Sequence, residues 1–230
     1  MKKRSIIELI MSLILLVGAY IVSQKGALTV ESLNVSTDQK LVIIDAGHGG
    51  RDPGKVGVNG EIEKDINLKI AQYLKELLEE QDIQVVMIRD SDTGLYDEDS
   101  KNKKVQDMQR RVDMIAQVSP DIVVSIHQNS YEDSSVCGPQ VFYYPKSTEG
   151  KLLAEGIQER MNTLLEIARP RVIKSNDSYY ILKKTVSPTV IIECGFLSNA
   201  GEANLLNTES YQKKVAKSVL GGILNYFNGK

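Results

Sequence analysis

Apolar and polar residues follow two different periods along residues 41–230, and together they predict an α/β fold. Short runs rich in β-branched residues predict strands at 41–44, 85–88, 122–126, 139–144 and 189–193. Longer segments with an apolar residue at every third or fourth position predict helices at 64–80, 105–118, 152–167 and 211–227. In the first helix the predicted core stripe consists of Ile66, Ile70, Leu74 and Leu77.

Strands and helices alternate over most of this region, which is typical of a mainly parallel sheet with helices on both faces. Residues 122–126 are apolar toward both faces, as expected for a strand inside such a sheet. The sequence therefore predicts a single domain with a central, twisted, mainly parallel sheet. Ligands of such sheets bind outside the carboxyl ends of the strands, so residues that follow strands are the first candidates for a functional site.

The beginning of the chain has a different pattern. Lys2, Lys3 and Arg4 precede an apolar run at 6–22, which indicates a signal peptide or a retained signal-anchor within residues 1–25. No small-x-small cleavage site is evident, which favours the anchor; a buried N-terminal helix is the alternative. The basic flank predicts that the following domain lies outside the cytoplasm and is attached to the membrane through this segment. Residues 26–40 are polar and are predicted to be a linker, so residues 41–230 form the functional domain.

Composition removes two classes of function. The chain has 28 basic and 30 acidic residues and no basic stripe, which argues against a nucleic-acid partner. Cys137 and Cys194 are its only cysteines, so neither a disulfide framework nor a thiolate zinc cluster is available. One disulfide between these two cysteines stays open at this stage, because the domain is predicted to lie in an oxidising compartment.

Both histidines of the chain follow predicted strands. His48 comes shortly after the strand "LVIID", and His127 ends the strand "DIVVSI". Glu193 ends the strand "TVIIE" and is predicted to lie at the same edge. A carboxylate at the end of an apolar strand is costly to bury unless it is paired or binds a ligand.

The glycine-rich loop around His48 also contains the pattern G-x-x-x-x-G-K, which begins at Gly49 and resembles a phosphate-binding loop. Three features contradict that interpretation: Val56 replaces the Ser or Thr that would reach Mg²⁺, Pro53 has no N–H to donate, and no helix begins directly afterwards. A metal site explains the loop better, because two histidines and one carboxylate with an open fourth position form a known catalytic zinc set.

The third ligand is predicted to be Glu61 or Glu63, just before the first helix. Glu63 is favoured because Ile62 and Ile66 are expected to mark the core face beside it. Asp45 is a candidate for orienting His48, with a loop-capping role as the alternative. Asn129 is expected to stabilise the loop after His127 rather than to contact a substrate.

Four stretches together resemble the zinc-dependent N-acetylmuramoyl-L-alanine amidases: "IIDAGHGGRDPG", "EIEKDINLKIAQYL", "VVSIHQNS" and "SPTVIIECGFLSN". This amidase type 3 family cuts peptidoglycan between the lactyl group of muramic acid and the L-alanine of the stem peptide. The resemblance covers residues 41 to about 228. It implies a roughly six-stranded sheet, one Zn²⁺ per chain held by His48, Glu63 and His127, and Glu193 as the catalytic acid and base.

Within this family the chain most resembles the germination-specific spore-cortex amidases, in which amide cleavage is the first step towards muramic lactam. Gln128 stands where the family usually has a small residue, so we expect a narrower or more polar pocket beside His127. Only 65 residues separate His127 from Glu193, which leaves no room for the inhibitory helical insertion of cell-division members. A partner protein that activates or localises the enzyme is a further expectation. The alternatives are a general wall-turnover amidase, an inactive peptidoglycan-binding domain and a stem-peptide peptidase.

Overall fold

The computed structural model describes residues 39–229, so the predicted signal-anchor and most of the predicted linker lie outside the described residues. The strands are β1 (Leu41–Ala46), β2 (Gln84–Met87), β3 (Ile122–Asn129), β4 (Gln140–Tyr143), β5 (Lys174–Ser175) and β6 (Thr189–Phe196). The helices are α1 (Glu63–Glu79), α2 (Lys103–Val118), α3 (Thr148–Leu164), α4 (Tyr180–Lys184), α5 (Ala200–Leu206) and α6 (Glu209–Asn228). None of the helices in this part of the chain combines the length and apolar character needed to span a membrane.

The six strands form one sheet in the order β2-β1-β3-β6-β4-β5. All neighbouring pairs are parallel except β4 and β6, which are antiparallel. The predicted fold class is therefore confirmed. The three adjacent strands β1, β3 and β6 run in the same direction, so their carboxyl ends meet at one edge of the sheet.

Two hydrophobic layers cover the sheet, one on each face. Alternation along β1 directs Val42, Ile44 and Ala46 into the larger layer, which is shared with α1, α3, α5 and α6. Ile43 points to the opposite face and packs with residues of α2 and α4. Because β1, β3 and β6 are largely buried on both faces, the parallel part of the sheet lies between helices, as the continuous apolar runs predicted.

The differences from the predicted elements have local causes. The elements β5, α4 and α5 were not predicted, because they are only 2, 5 and 7 residues long and are too short to show a hydrophobic period. In α1 the buried stripe continues to Leu78, whereas the predicted member Leu77 is only partly buried. The strand β1 extends to Ala46, two residues beyond its predicted end, and brings the chain directly to the His48 loop.

Candidate active site

His48 occupies a sharp turn immediately after β1. Its backbone is left-handed, with φ of 63°, and Gly49 and Gly50 also have positive φ. The backbone N–H of Gly49 donates to the carbonyl of Asp52 at 3.0 Å, and the Asp52 N–H donates back at 3.1 Å. Helix α1 begins only at Glu63, so the loop lacks the helix start that a phosphate-binding loop requires. The coincidental G-x-x-x-x-G-K pattern is thus a turn that presents a histidine.

Asp52 fixes the orientation of the His48 ring. Its Oδ2 lies 2.9 Å from His48 Nδ1, and this contact leaves Nε2 facing Glu63 at 3.2 Å. A carboxylate on one ring nitrogen is the usual way to orient a histidine whose other nitrogen binds a metal. Asp52 was not predicted from the sequence, although its position four residues after His48 in a glycine-rich turn was a usable signal.

His127 approaches the same point from β3. Its Nδ1 lies 3.1 Å from Glu63 Oε1, and its ring meets the His48 ring edge-on, with the centroids 5.0 Å apart. The strand end that carries His127 is next to β1, because the Gly47 N–H donates to the Ile126 carbonyl at 3.0 Å. The predicted meeting of the two histidines at the sheet edge is therefore observed.

Glu63 and Glu61 have different roles. Glu63 is the first residue of α1 and is 2% exposed, with its Oε2 accepting from the Lys55 N–H at 2.8 Å. The Glu61 carboxylate stays in its own turn, where it accepts from the backbone and side-chain nitrogens of Asn59. The structure thus favours Glu63, but the reason given from sequence was half wrong: Ile66 is buried, whereas Ile62 is 36% exposed.

Three donor atoms converge between these segments. His48, Glu63 and His127 each contribute one potential ligand atom, and these three atoms lie within 4.8 Å of one another. Burial alone would raise the pKa of Glu63, but its hydrogen bonds to His127 and His48 outweigh burial and leave that pKa well below its usual range. Burial lowers the pKa of His48, and the contacts with Glu63 and Asp52 overcome this and raise it. Two imidazoles and an ionised carboxylate form a donor set that fits zinc.

Glu193 faces this group from β6. It is 8% exposed, lies directly opposite His127 in the strand register, and its Oε2 is buried without a hydrogen-bond partner among the described residues. Burial raises the pKa of Glu193 to about 7, with His127 opposing the shift and the Glu63 charge adding to it. A carboxyl group that titrates near neutral pH and has an open oxygen is suited to moving protons.

A cavity of about 160 Å³ opens beside these groups. His48, His127 and Glu193 line it together with apolar side chains of α2, α4 and β6, including Met108, Ile181 and Ile191. The cavity therefore places an apolar surface next to the candidate metal ligands and the buried carboxyl group.

Three further sequence-based expectations have mixed outcomes. Asp45 does not touch His48; its carboxylate binds Arg111 Nη1 at 2.5 Å and the Ser125 hydroxyl at 2.6 Å, so both proposed roles were wrong. Gln128 does not narrow the pocket, because it points to the opposite face of β3 and donates to Asn67 Oδ1 at 3.1 Å. Asn129 stabilises the loop after His127, as expected: its Oδ1 accepts from the Ser130 N–H at 2.8 Å.

The question of a disulfide is also settled by the structure. Cys137 is exposed and Cys194 is buried, and both thiols are free. Burial raises the pKa of the Cys194 thiol well above its ordinary value, so this cysteine acts as a small apolar core residue beside Glu193.

The fold and the site together define an α/β domain whose candidate catalytic groups lie at the carboxyl edge of its sheet. Residues 42–225 match the family model described as N-acetylmuramoyl-L-alanine amidase, and the chain belongs to this family. It is therefore a hydrolase with peptidoglycan amidase activity, as the resemblance implied.

Individual relatives agree with this assignment. The germination-specific N-acetylmuramoyl-L-alanine amidase of Bacillus subtilis (strain 168) is 39% identical over 194 residues, covering 83% of this chain and 81% of the relative. The amidase LytC of the same organism is 31% identical, over 82% of this chain but only 36% of LytC. The CwlD amidase of Clostridioides difficile, solved in complex with the GerS lipoprotein, has a TM-score of 0.81 and 38% identity, over 84% of this chain and all of that chain.

Proposed function

We propose that the chain is a zinc-dependent amidase that hydrolyses the bond between N-acetylmuramic acid and L-alanine, with His48, Glu63 and His127 holding one zinc ion and Glu193 moving the protons. The observation that carries this proposal is the convergence of the three donor atoms within 4.8 Å, with the unpartnered carboxyl oxygen of Glu193 at the same edge. Each side chain comes from a different element, so the fold itself assembles the donor set.

His48, Glu63 and His127 would hold the zinc ion, which would supply a Lewis acid able to make water acidic near neutral pH and to polarise the scissile carbonyl. Glu193 accepts the proton of the attacking water on its free oxygen and delivers it to the nitrogen of the departing L-alanine. One carboxyl group serves both transfers because it first takes up the proton and then releases it, and burial raises its pKa to about 7 in the metal-free chain. Asp52 holds the His48 ring in the tautomer that leaves Nε2 free for the metal.

For the physiological role, we propose a function in spore-cortex maturation, where amide cleavage precedes muramic lactam formation. The support is the 39% identity to a germination-specific amidase over most of both chains. The likeness to CwlD, solved with the GerS lipoprotein, supports a lipoprotein partner that activates or localises the enzyme. We further propose extracytoplasmic action with attachment through residues 1–25, since the substrate is peptidoglycan and a basic flank precedes the apolar run.

Digestion of purified peptidoglycan tests the enzymatic proposal. Residues 26–230 are incubated with zinc and peptidoglycan, and newly freed amino groups are labelled and identified. New N-terminal L-alanine is the expected product; other new termini would indicate a peptidase, and no release would indicate a binding domain. Prior treatment with a chelator should abolish release, and added zinc should restore it.

Two matched pairs of variants assign the residues. Glu63→Gln should lose bound zinc, whereas Glu61→Gln, two residues earlier and outside the donor set, should keep both zinc and activity. Glu193→Gln should retain about one zinc per chain and lose roughly 10²- to 10⁴-fold in rate, the usual contribution of a general acid–base group. A fully active Glu193→Gln, or zinc loss from Glu61→Gln alone, would show that the roles are wrongly assigned.

A further inference from the structure

Two buried arginines lie beneath the turn that carries His48. Arg111 belongs to α2 and Arg89 follows β2, and their exposures are only 2% and 3%. Buried guanidinium groups are costly unless all their donors are used. Both arginines direct these donors at the backbone of the chain between β1 and the His48 turn.

Together the two arginines bind three successive carbonyl oxygens. Arg89 Nε donates to the Ala46 carbonyl at 2.7 Å, and Arg89 Nη2 donates to the Gly47 carbonyl at 2.9 Å. Arg111 Nη2 donates to the His48 carbonyl at 2.7 Å, and Arg111 Nη1 also reaches the Ala46 carbonyl at 3.2 Å. The carbonyl of every residue from 46 to 48 therefore accepts a hydrogen bond from a buried guanidinium group.

Arg89 also connects two of the three segments that supply candidate ligands. Its Nη2 donates to the Lys64 carbonyl at 2.8 Å as well as to Gly47. Lys64 follows Glu63 directly in the first turn of α1. One guanidinium thus fixes the distance between the backbone next to His48 and the backbone next to Glu63.

Arg111 is itself held by two carboxylates. Its Nε bonds Asp107 Oδ2 at 2.6 Å, and its Nη1 bonds Asp45 Oδ1 at 2.5 Å. These contacts leave Nη2 directed at the His48 carbonyl. Asp45 was predicted to orient the His48 ring directly. Its contact with His48 is instead indirect, because it binds Arg111, which in turn binds the His48 carbonyl.

The turn needs this support. A non-glycine residue in the left-handed region is strained, and this conformation persists only where its surroundings determine it. His48 has that conformation, and any relaxation of its backbone would swing Nε2 away from Glu63. Hydrogen bonds from rigid, buried guanidinium groups provide the restraint without touching the imidazole.

We propose that Arg111 and Arg89 are positioning residues of the proposed zinc site, which hold His48 and Glu63 in ligand geometry before the ion binds. This inference rests on the proposed function. It predicts that weakening these backbone contacts lowers metal affinity even though neither arginine touches the metal ligands' donor atoms.

Metal binding by the purified protein tests this inference. The variants Arg111→Lys and Arg89→Lys keep the buried positive charge but remove the planar guanidinium group, whose several N–H donors bind different carbonyls at once. The control is Arg110→Lys on the same helix, where Arg110 pairs with Asp97 at the surface. The dissociation constant for Zn²⁺ is measured by competition with a chromophoric chelator, the absorption spectrum is recorded with Co²⁺ bound, and the melting temperature is recorded without metal.

Each arginine variant should bind zinc about 10- to 100-fold more weakly and show an altered Co²⁺ spectrum, because loss of supporting contacts around metal ligands has this effect. Arg110→Lys should match the wild type in both readouts. Unchanged affinity and spectrum, whatever the melting temperature, would overturn the inference. If Arg111→Lys does not fold, Arg89→Lys and Asp107→Asn decide by the same criteria. A wild type that binds no zinc would instead refute the proposed function.

Discussion

Gly47 packs so closely against His127 that a single methyl group should disable the site. A Cβ added at Gly47 would lie 2.2 Å from His127 Cε1, 2.3 Å from Nε2 and 2.6 Å from Nδ1. Gly47 is not among the glycines with positive φ, so the obstacle is contact with the ring and not backbone strain.

The size of the effect follows from these distances. Ordinary van der Waals contact begins near 3.4 Å, so the ring and the turn must separate by about 1 Å in Gly47→Ala. Misplacing a catalytic group by about 1 Å costs on the order of 10²-fold in rate. Overpacking of this kind also destabilises a fold by about 1–3 kcal/mol. We therefore expect Gly47→Ala to lose at least 10²-fold of its amidase rate and much of its zinc affinity.

Release of N-terminal L-alanine, zinc content and urea unfolding should be measured together on Gly47→Ala and on a control. Gly60→Ala is the matched control, because Gly60 has φ of 92° but a Cβ there meets nothing within 4 Å. It should lose about 1–3 kcal/mol of stability through backbone strain and keep full activity. Wild-type activity and zinc content in Gly47→Ala would refute the steric argument.

Three further predictions concern other parts of the domain. Under native conditions a thiol reagent should modify Cys137 but not Cys194, and equal labelling of both would contradict the described burial. Leu74→Ala, in the fully buried stripe of α1, should cost about 2–5 kcal/mol in urea unfolding, and a loss below about 1 kcal/mol would show a looser core. Burial raises the pKa of Asp45, but the charges of Arg111 and His127 and the hydrogen bonds from Ser125 and Arg111 together outweigh burial and leave that pKa lowered. The stability contributed by the Asp45–Arg111 pair is therefore complete above the pKa of Asp45 in the unfolded chain, near 4. It is lost as the pH falls through the pKa of Asp45 in the folded protein. The metal-free protein should require less urea to unfold at pH 3 than at pH 5, with a weaker dependence in Asp45→Asn; an equal dependence would assign the acid sensitivity elsewhere.

The long elements and the edge of the sheet could be predicted because their signals are local. Apolar runs of five residues or more gave β3 and β6, and strand ends gave His127 and Glu193 as neighbours across the edge. The contact of His48 with Glu63 could be predicted only in part, because it depends on the turn after β1. The glycines indicated a sharp turn, but Glu61 remained an alternative to Glu63 as the third ligand. The contact between His48 and Glu63 is explained by backbone hydrogen bonds that join the loop to the start of α1, from the Glu63 N–H to the Lys55 carbonyl at 3.0 Å and from the Lys64 N–H to the Pro53 carbonyl at 3.1 Å.

Two wrong predictions, those for Gln128 and Asp45, could have been avoided by using the alternation of side chains along the strands. Alternation along β3 places Ser125 and His127 on one face and Gln128 on the other, so Gln128 should not have been expected beside His127. The same rule places Asp45 on the face of Ile43, towards α2. By contrast, the partners of Arg89 and Arg111 among residues 45–48 lie 42 to 66 residues away along the chain, and no local period encodes such contacts.

The order of strands in the sheet has a consequence for how the protein matures. β1 pairs with β3 and β3 with β6, and each pairing joins segments separated by more than 60 residues. Contacts of such long range form slowly, because the intervening chain must be ordered first. Glu193 lies on β6, the last strand to be synthesised, which must insert between β3 and β4. If Glu193 moves the protons as proposed, a partly folded or truncated chain that lacks β6 should therefore be unable to hydrolyse the wall.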